Sequence, residues 1–422
     1  MKKYLKRFLN NKNNLLLFLI LLFAFLVRFY NFSNRVTFGP EQAISLITSG
    51  RMINKGLSLL GQENVQRITS DGHKLFSGVL FTYSLIPLQI LFRFQVLPIT
   101  AYFSVLNLFT GIVLYIMVRR LLSEKVALIS LVLFLFNSLM IYHSLFIWIL
   151  NYMPLIGILS FYFLIRFRKE KSFVYLIMLG ILTGVGISLE YVYLFFAFII
   201  LFFVLKYSKK KFLSLFIFVL STIVPNFPTL IFDLRNNFYH FFALVRYTAD
   251  VLDGRAKSGI TYYHFLPILP LFIVFFSYLL VRVFDRSKSF LLFFFFFYIL
   301  FNLKSELVNF DSPTGMPSDL TLPNIMKSSR IIAKDCPNNF NVVVINDFDT
   351  RGHILRYPLE FIWKCFPNGV EDYPNSDIIY VLSPVGYDFT ENSAWEIRSF
   401  NYKHRQEVAT VGKSYSLVKF SK

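Results

Sequence analysis

The stretch Asn34-Arg-Val-Thr-Phe-Gly-Pro-Glu-Gln-Ala-Ile-Ser-Leu places one carboxylate, Glu41, directly after a Gly-Pro turn and just beyond a long apolar block. Gly39 and Pro40 turn the chain and start a helix. Its apolar positions Ala43, Ile44, Leu46, Ile47 and Met52 fit a face lying along a surface. A carboxylate held there could take a proton from an acceptor hydroxyl. The plainer reading is an acid favoured by the helix dipole behind a first-turn proline. Further on, Arg67-Ile-Thr-Ser-Asp-Gly-His-Lys gathers Arg67, His73 and Lys74 before the next apolar block. Such cations pair with phosphate oxygens, or simply meet anionic lipid headgroups. Arg28 and Arg51 add to the same local charge, although Arg28, one turn from the end of an apolar block, could snorkel outward instead.

Three further groups carry polar chemistry at the ends of apolar blocks: Glu190-Tyr191, Asp233-Leu-Arg235-Asn-Asn, and the pair Trp148 and Asn151 that follows His143-Ser144. Trp148 fits an interface anchor. Asn151, inside an apolar run, needs a partner. Asp233 and Arg235 read either as an ion pair of the scaffold or as part of a site. Glu41 with Glu190 or Asp233 could also hold a divalent metal.

The elements that must position these groups are membrane helices. The 422 residues are 55% hydrophobic and 16% charged, with 53 Phe, against roughly 25% charged in an average soluble domain. That excludes a soluble globular enzyme and a disordered chain. The net charge of +19 is not a nucleic-acid footprint, because its excess lies between apolar blocks. Residues 1–304 hold 31 Lys/Arg and 10 Asp/Glu, whereas residues 305–422 hold 12 and 14. The blocks are Leu15–Tyr30, Leu75–Leu91, Pro98–Val118, Val126–Tyr142, Leu145–Ile165, Phe173–Leu189, Val192–Leu205, Phe212–Phe232, Tyr262–Val281 and Phe290–Leu303. The first lacks a small-residue cleavage site after it and reads as a retained anchor.

Basic clusters fix the expected orientation. Lys2/Lys3/Lys6/Arg7/Lys12, Arg119/Arg120/Lys125, Arg166/Arg168/Lys169/Lys171, Lys206/Lys209/Lys210/Lys211 and Arg282/Arg286/Lys288 all belong on the cytoplasmic side. An even number of crossings must separate consecutive clusters, yet three blocks lie between Lys12 and Arg119. The most polar of them, Leu75–Leu91, is therefore expected to lie on the outer face as a juxtamembrane helix. Nine crossings follow, with the N-terminus cytoplasmic, a large first outer loop over about 31–97, and the C-terminal region outside. The ionisable residues then gather at the outer face of a plasma-membrane protein, while mid-span positions stay nearly uncharged.

Residues 1 to about 260 resemble the bacterial relatives of the dolichyl-phosphate-mannose protein mannosyltransferases and the lipid A aminoarabinose transferase, polytopic glycosyltransferases of the C-type fold. The resemblance runs through Leu26-Val-Arg-Phe-Tyr, Phe38-Gly-Pro-Glu-Gln-Ala, Leu106-Asn-Leu-Phe-Thr-Gly, Val118-Arg-Arg-Leu-Leu, Asn137-Ser-Leu-Met-Ile-Tyr-His-Ser, Trp148-Ile-Leu-Asn and Phe232-Asp-Leu-Arg-Asn-Asn-Phe. It implies a mainly α, polytopic fold with two juxtamembrane helices in the first outer loop. It also implies transfer of a sugar from a polyprenyl-phosphate donor to a glycan, lipid or protein acceptor, usually with inversion, and makes Glu41 the catalytic candidate. Arg67, His73, Lys74, Arg28 and Arg51 are then candidates for the donor phosphate. Gln42, Trp148, Asn151, Glu190, Tyr191, Asp233 and Arg235 would support the site. Gln42 stands where many relatives carry a second acid, and Trp148 and Asn151 replace charged residues often found there; these departures weaken the metal reading. Two other classes remain open: a carrier or flippase for lipid-linked saccharides, favoured by Pro225, Pro228, Pro267 and Pro270 within apolar blocks, and a non-catalytic envelope scaffold.

From residue 305 onward the composition becomes that of a small soluble α/β domain. A helix is expected over Asp319–Lys334 with its start at Pro323 or later, strands over Asn341–Ile345 and Asp377–Leu382, and a helix over Gly352–Cys365 broken near Pro358. Trp395–Phe400 and Tyr415–Phe420 read as edge-type strands. Asp347-Phe-Asp349 resembles a metal-binding pair or, more plainly, a polar strand-end turn. Cys336 and Cys365, the only cysteines, could form a disulfide if this domain lies outside.

Overall fold

The computed structural model describes residues 12–256, 261–284, 288–346, 349–390 and 394–422. Lys2, Lys3, Lys6, Arg7, Arg286 and Asp347 lie outside the described residues. Apolar blocks fold as helices because backbone groups in lipid must hydrogen-bond within their own segment. Val96–Leu121, Ile149–Glu170 and Lys211–Arg235 are long and apolar enough to cross a membrane. Shorter apolar helices run over Asn13–Phe29, Phe173–Leu189, Tyr193–Tyr207, Leu269–Val283 and Ser289–Leu303. Their outward faces expose large apolar side chains, among them Phe195, Phe202, Phe212, Leu292 and Phe296, a belt that fits lipid rather than water. The chain is a multi-pass membrane protein.

Local chemistry explains where the helices depart from the expected blocks. The block over 126–142 divides into Glu124–Leu135 and Ser138–His143, because the Asn137 side chain accepts the N–H groups of Leu139 and Met140 and caps a new helix. Pro225 tightens Val224–Asn226 into a 3₁₀ turn, and the helix resumes at Phe227. Asn226 donates to the carbonyls of Gly184 and Thr222 there, so hydrogen bonds close the break. Pro270 lies in the first turn of the helix Leu269–Phe284 and Pro267 precedes it. Neither interrupts a span.

The first loop contains a helix, Pro40–Lys55, a hairpin of β1 (Glu63–Ile68) and β2 (Lys74–Phe76), and a second helix, Leu80–Leu91. The second helix has 12 residues, about 18 Å at 1.5 Å per residue, well short of the roughly 30 Å hydrocarbon core. Its polar residues serve the loop. Gln89 donates to Leu46 O at 2.8 Å and accepts from Ser49 Oγ at 3.1 Å, which locks the two loop helices together. The hairpin was absent from the sequence reading, although Asp71-Gly72 marks its turn, with Gly72 at φ 84°.

Two glycines allow the approaches that shape this end of the bundle. Gly184 lies against Thr222 O, where a Cβ could not fit. Gly78, entering the Leu80–Leu91 helix, lies against the backbone and hydroxyl of Ser188 in the same way. The second contact sets the hairpin directly beside Glu190.

The C-terminal region forms a four-stranded sheet in the order β3 (Phe340–Val344), β4 (Ile378–Pro384), β6 (Tyr415–Ser421) and β5 (His404–Val411). β3 and β4 are parallel and the other pairs antiparallel. The helix Leu322–Asp335 is capped by Thr321 and starts one residue before Pro323 rather than at it or later, and the chain after Gly352 breaks at Pro358 from α-helix into a π-helical turn, Pro358–Trp363. Two strand expectations fail. Trp395–Arg398 is a short helix rather than a strand. β6 is an interior strand, four of its seven residues buried in a row, and the edge beside it is β5, whose exposed sequence lacks a clear alternation. Cys336 and Cys365 are joined in a disulfide.

This region docks on the first loop. Tyr357 donates to Phe94 O at 2.9 Å, Phe361 stacks on Phe94 and lies against Gly50, and Arg51 pairs with Glu360 at 3.0 Å. Gly78→Val is expected to destabilise the protein by about 1–3 kcal/mol, the usual cost of overpacking, read as a lower thermal midpoint in detergent. An unchanged midpoint would show that the Gly78–Ser188 contact carries no such constraint.

Candidate active site

Glu41 occupies the second position of the Pro40–Lys55 helix. The helix start explains its neighbours. Gly39 is the N-cap, Pro40 needs no hydrogen-bonded N–H there, and Gln42 folds back so that its Oε1 accepts the Gly39 N–H at 2.9 Å. Gln42 is buried and spent on this capping box, which removes it from the supporting site group. Glu41 instead remains exposed.

Although open to solvent, the Glu41 carboxyl is hemmed in by protein, and this burial raises its pKa above the ordinary carboxylate value, while the charge of Arg67 pulls it back. Glu41 is thus reachable by solvent yet crowded by protein around its carboxyl. Arg67 projects from β1, and its Nη1 lies 4.0 Å from Glu190 Oε1. At that separation the pair is an ion contact rather than a hydrogen bond. Arg67 therefore faces two acids and keeps guanidinium N–H donors for a further anion.

The hairpin carrying Arg67 is clamped in place. The Ser70 N–H and hydroxyl donate to Asp250 at 2.8 and 2.9 Å, and Tyr239 Oη accepts the Lys74 N–H at 3.1 Å. His240 Nε2 lies 3.0 Å from Phe76 O and 3.1 Å from Tyr191 Oη. Burial raises the Tyr191 pKa, reinforced by Asp233 and Glu190, so the phenol stays neutral beside Glu190. All of these clamps come from the helix Tyr239–Leu252 and the Glu190–Tyr191 turn. The first turn of that helix is capped by Asp233, near the end of the preceding helix Phe227–Arg235, whose Oδ1 accepts the His240 and Phe241 N–H groups at 2.8 and 3.3 Å.

The structure thus brings Glu41, Arg67, Glu190 and Tyr191 together and sends other candidates elsewhere. Arg28 is fully buried and donates to Ala24 O, Asn107 Oδ1 and Leu135 O. It satisfies a carbonyl left free where the helix ends at Leu135, and neither snorkels nor reaches a phosphate. Arg51 pairs with Glu360, Lys74 with Glu63 at 2.9 Å, and His73 with Asp71 at 2.9 Å, so Arg67, His73 and Lys74 do not converge. Strand alternation and the turn send them to different partners. Asp233 is a helix cap, and Arg235 makes no ion pair with it. Trp148 stacks on His143, with ring centroids 4.9 Å apart, and Asn151 donates to Phe146 O at 2.8 Å.

Tyr142, within electrostatic range of both Glu41 and Tyr262, is a neighbour the sequence reading missed; it lies inside an apolar block with no local signal. Arg35 was also missed. It is buried, donates to the carbonyls of Val27, Tyr30 and Asn309, and stacks on Phe310 at 4.6 Å. It thereby pins the end of the first helix to the segment leading into the C-terminal region.

Among the described residues no group of three or more His, Cys, Asp or Glu is arranged to hold a metal ion. Asp233 is committed to its cap, and the space between Glu41 and Glu190 is served by the Arg67 guanidinium. Asp349, the described half of the tail pair, binds His353 at 2.8 Å and the N–H groups of Arg351 and His353; it is a turn residue.

Residues 80–229 match the model of the dolichyl-phosphate-mannose-protein mannosyltransferase family. No curated protein matches the chain. The crystal structure of ArnT from Cupriavidus metallidurans in the apo state is similar with a TM-score of 0.61 and 11% identity, covering 96% of this chain and 97% of that one. The structure of the same protein bound to undecaprenyl phosphate matches with a TM-score of 0.61, 10% identity and the same coverage. The chain has the C-type glycosyltransferase fold. At this identity the likeness fixes the path of the backbone, and the site residues rest on the geometry described above.

Because burial raises the Glu41 pKa and Arg67 lowers it, Arg67→Gln removes the lowering influence. If ionised Glu41 is required, activity falls as pH drops through its pKa, and the acidic limb of kcat/KM moves to higher pH in the variant. A limb that stays in place in a variant with measurable activity would mean that Arg67 does not act on Glu41.

Proposed function

We propose that the protein is a membrane glycosyltransferase that moves a sugar from a polyprenyl-phosphate donor to an acceptor hydroxyl on the extracytoplasmic face. One observation carries this reading: a solvent-open, partly desolvated carboxylate, Glu41, shares its cleft with a cation, Arg67, that retains free donors. Glu41 takes the proton of the acceptor hydroxyl as that oxygen bonds to the anomeric carbon. The bond from the anomeric carbon to the lipid phosphate oxygen breaks, and the phosphate leaves as an anion beside Arg67. Glu190 holds Arg67 over the cleft in the absence of substrate, and its loose contact allows phosphate to compete. Tyr191 and His240 hold the Glu190 turn against the hairpin.

Several findings support the donor class. The match over residues 80–229 is to a family named for a dolichyl-phosphate-linked sugar, and the ArnT fold has been solved with undecaprenyl phosphate. The orientation rests on the basic clusters, with the N-terminus cytoplasmic and the disulfide-bearing region outside, where a disulfide persists. The close packing around Pro225 and the placement of Pro267 and Pro270 at a helix start argue against a carrier with interrupted helices.

With a labelled polyprenyl-phosphate sugar and native membranes, Glu41→Gln and Glu41→Ala should lower transfer by about 10²–10⁴-fold, the usual contribution of a general base, while the protein accumulates normally. Transfer by both variants at the native rate would remove Glu41 from the chemistry.

A further inference from the structure

A concavity of about 690 Å³ opens beside the hairpin, with Ser58, Phe76, Phe232, Arg235, Asn236 and Tyr239 in its lining. Its size falls in the range of about 300–1,000 Å³ typical of small-molecule sites. The lining holds one charge, that of Arg235. The nearby cations Arg67, Lys74, Arg246 and Arg255 each face a carboxylate, whereas Arg235 faces none among the described residues. Its sequence neighbour Asp233 is turned away into the helix cap.

The rest of the lining is polar and aromatic in a pattern suited to a sugar. Asn237 and Phe238 both have positive φ, 51° and 58°, which holds the Asn236-Asn237 turn in a sharp left-handed bend at the cavity edge. Asn236 donates to Phe232 O at 2.7 Å, fixing its amide and leaving its Oδ1 to accept. Tyr239 Oη accepts from the Lys74 N–H and keeps its own proton to donate. Phe76, Phe232 and Tyr239 supply aromatic faces for the C–H surface of a sugar ring. The cavity is tied to the Glu41 cleft by contiguous groups, since Tyr239 precedes His240, and His240 touches the Tyr191 that follows Glu190.

We propose that this cavity is the acceptor subsite of the transferase and takes a saccharide bearing an acidic group, carboxylate or phosphate, held by the Arg235 guanidinium. A neutral saccharide leaves that cation unpaired, and a bare lipid phosphate leaves the aromatic and amide lining unused. The designation as acceptor subsite rests on the transferase reading, but binding of the acidic saccharide does not.

The test is a titration of the full-length protein in lipid nanodiscs with a glucuronic-acid-containing disaccharide, glucose 6-phosphate and cellobiose. At least one acidic probe should bind about tenfold or more tightly than cellobiose, as expected for a charge-assisted guanidinium contact. The better acidic probe identifies the anion as carboxylate or phosphate. Arg235→Gln, an exposed substitution, should erase the preference, Arg235→Lys should restore part of it, and Ser58→Phe should weaken every probe by filling the cavity. Glu41→Gln should lower transfer by the factor given above and leave this binding intact, which separates failure of the transferase reading from failure of the subsite. Equal binding of acidic and neutral probes, or an acidic preference that survives Arg235→Gln, overturns the proposal. So does Arg235-dependent binding of undecaprenyl phosphate with no binding of the saccharides, which would assign the cavity to the donor lipid.

Discussion

Everything at this end of the molecule is organised around one cation between two acids. Arg67 lies 4.0 Å from Glu190 and within electrostatic reach of Glu41. Burial works against ionisation of the Glu41 carboxyl, and the Arg67 charge offsets part of that cost without a tight hydrogen bond to either acid. The tertiary contacts can be understood as the means of keeping this arrangement. Gly78 admits Ser188, Asp250 holds the hairpin turn at Ser70, and Asp233 caps the first turn of the helix that carries Tyr239 and His240.

Buried polar groups elsewhere follow a different rule. Arg28 and Arg35 have no carboxylate partners among the described residues and spend their guanidinium groups on backbone carbonyls. Such carbonyls must be satisfied where helices end in an apolar surround. Gln89 and Asn226 do the same for loop helices and a proline turn. These residues look like site candidates in the sequence because a polar group in an apolar block has a high prior for function. In this protein that prior points equally to the scaffold.

The sequence was most informative where the signal was local or additive. Apolar blocks gave the helices, and the charge count between them singled out Leu75–Leu91, which forms a 12-residue helix hydrogen-bonded to the Pro40–Lys55 helix. Gly39-Pro40 gave the helix start that presents Glu41. It was least informative where partners are far apart in the chain. The hairpin over 63–76 has an Asp-Gly turn but strands with little apolar alternation, and β5 is an exposed edge whose pattern says little about pairing. Trp395–Arg398 carries an apolar alternation that fits a strand, yet the chain turns there into a short helix.

Composition, block length and charge placement by themselves determined a multi-pass helical protein with a small C-terminal α/β region, because hydrophobic burial and charge exclusion from lipid act on each segment almost independently. Which ionisable groups share a cleft was decided only by tertiary structure. Arg67 and Glu190 are far apart in sequence, and Arg28, Lys74 and His73 have the same chemical credentials as Arg67. Electrostatic energy depends on separation and on local solvation, and both are properties of the folded arrangement. Arg67 therefore meets Glu41, while Arg28 meets a carbonyl, Lys74 meets Glu63 and Arg235 faces an open cavity.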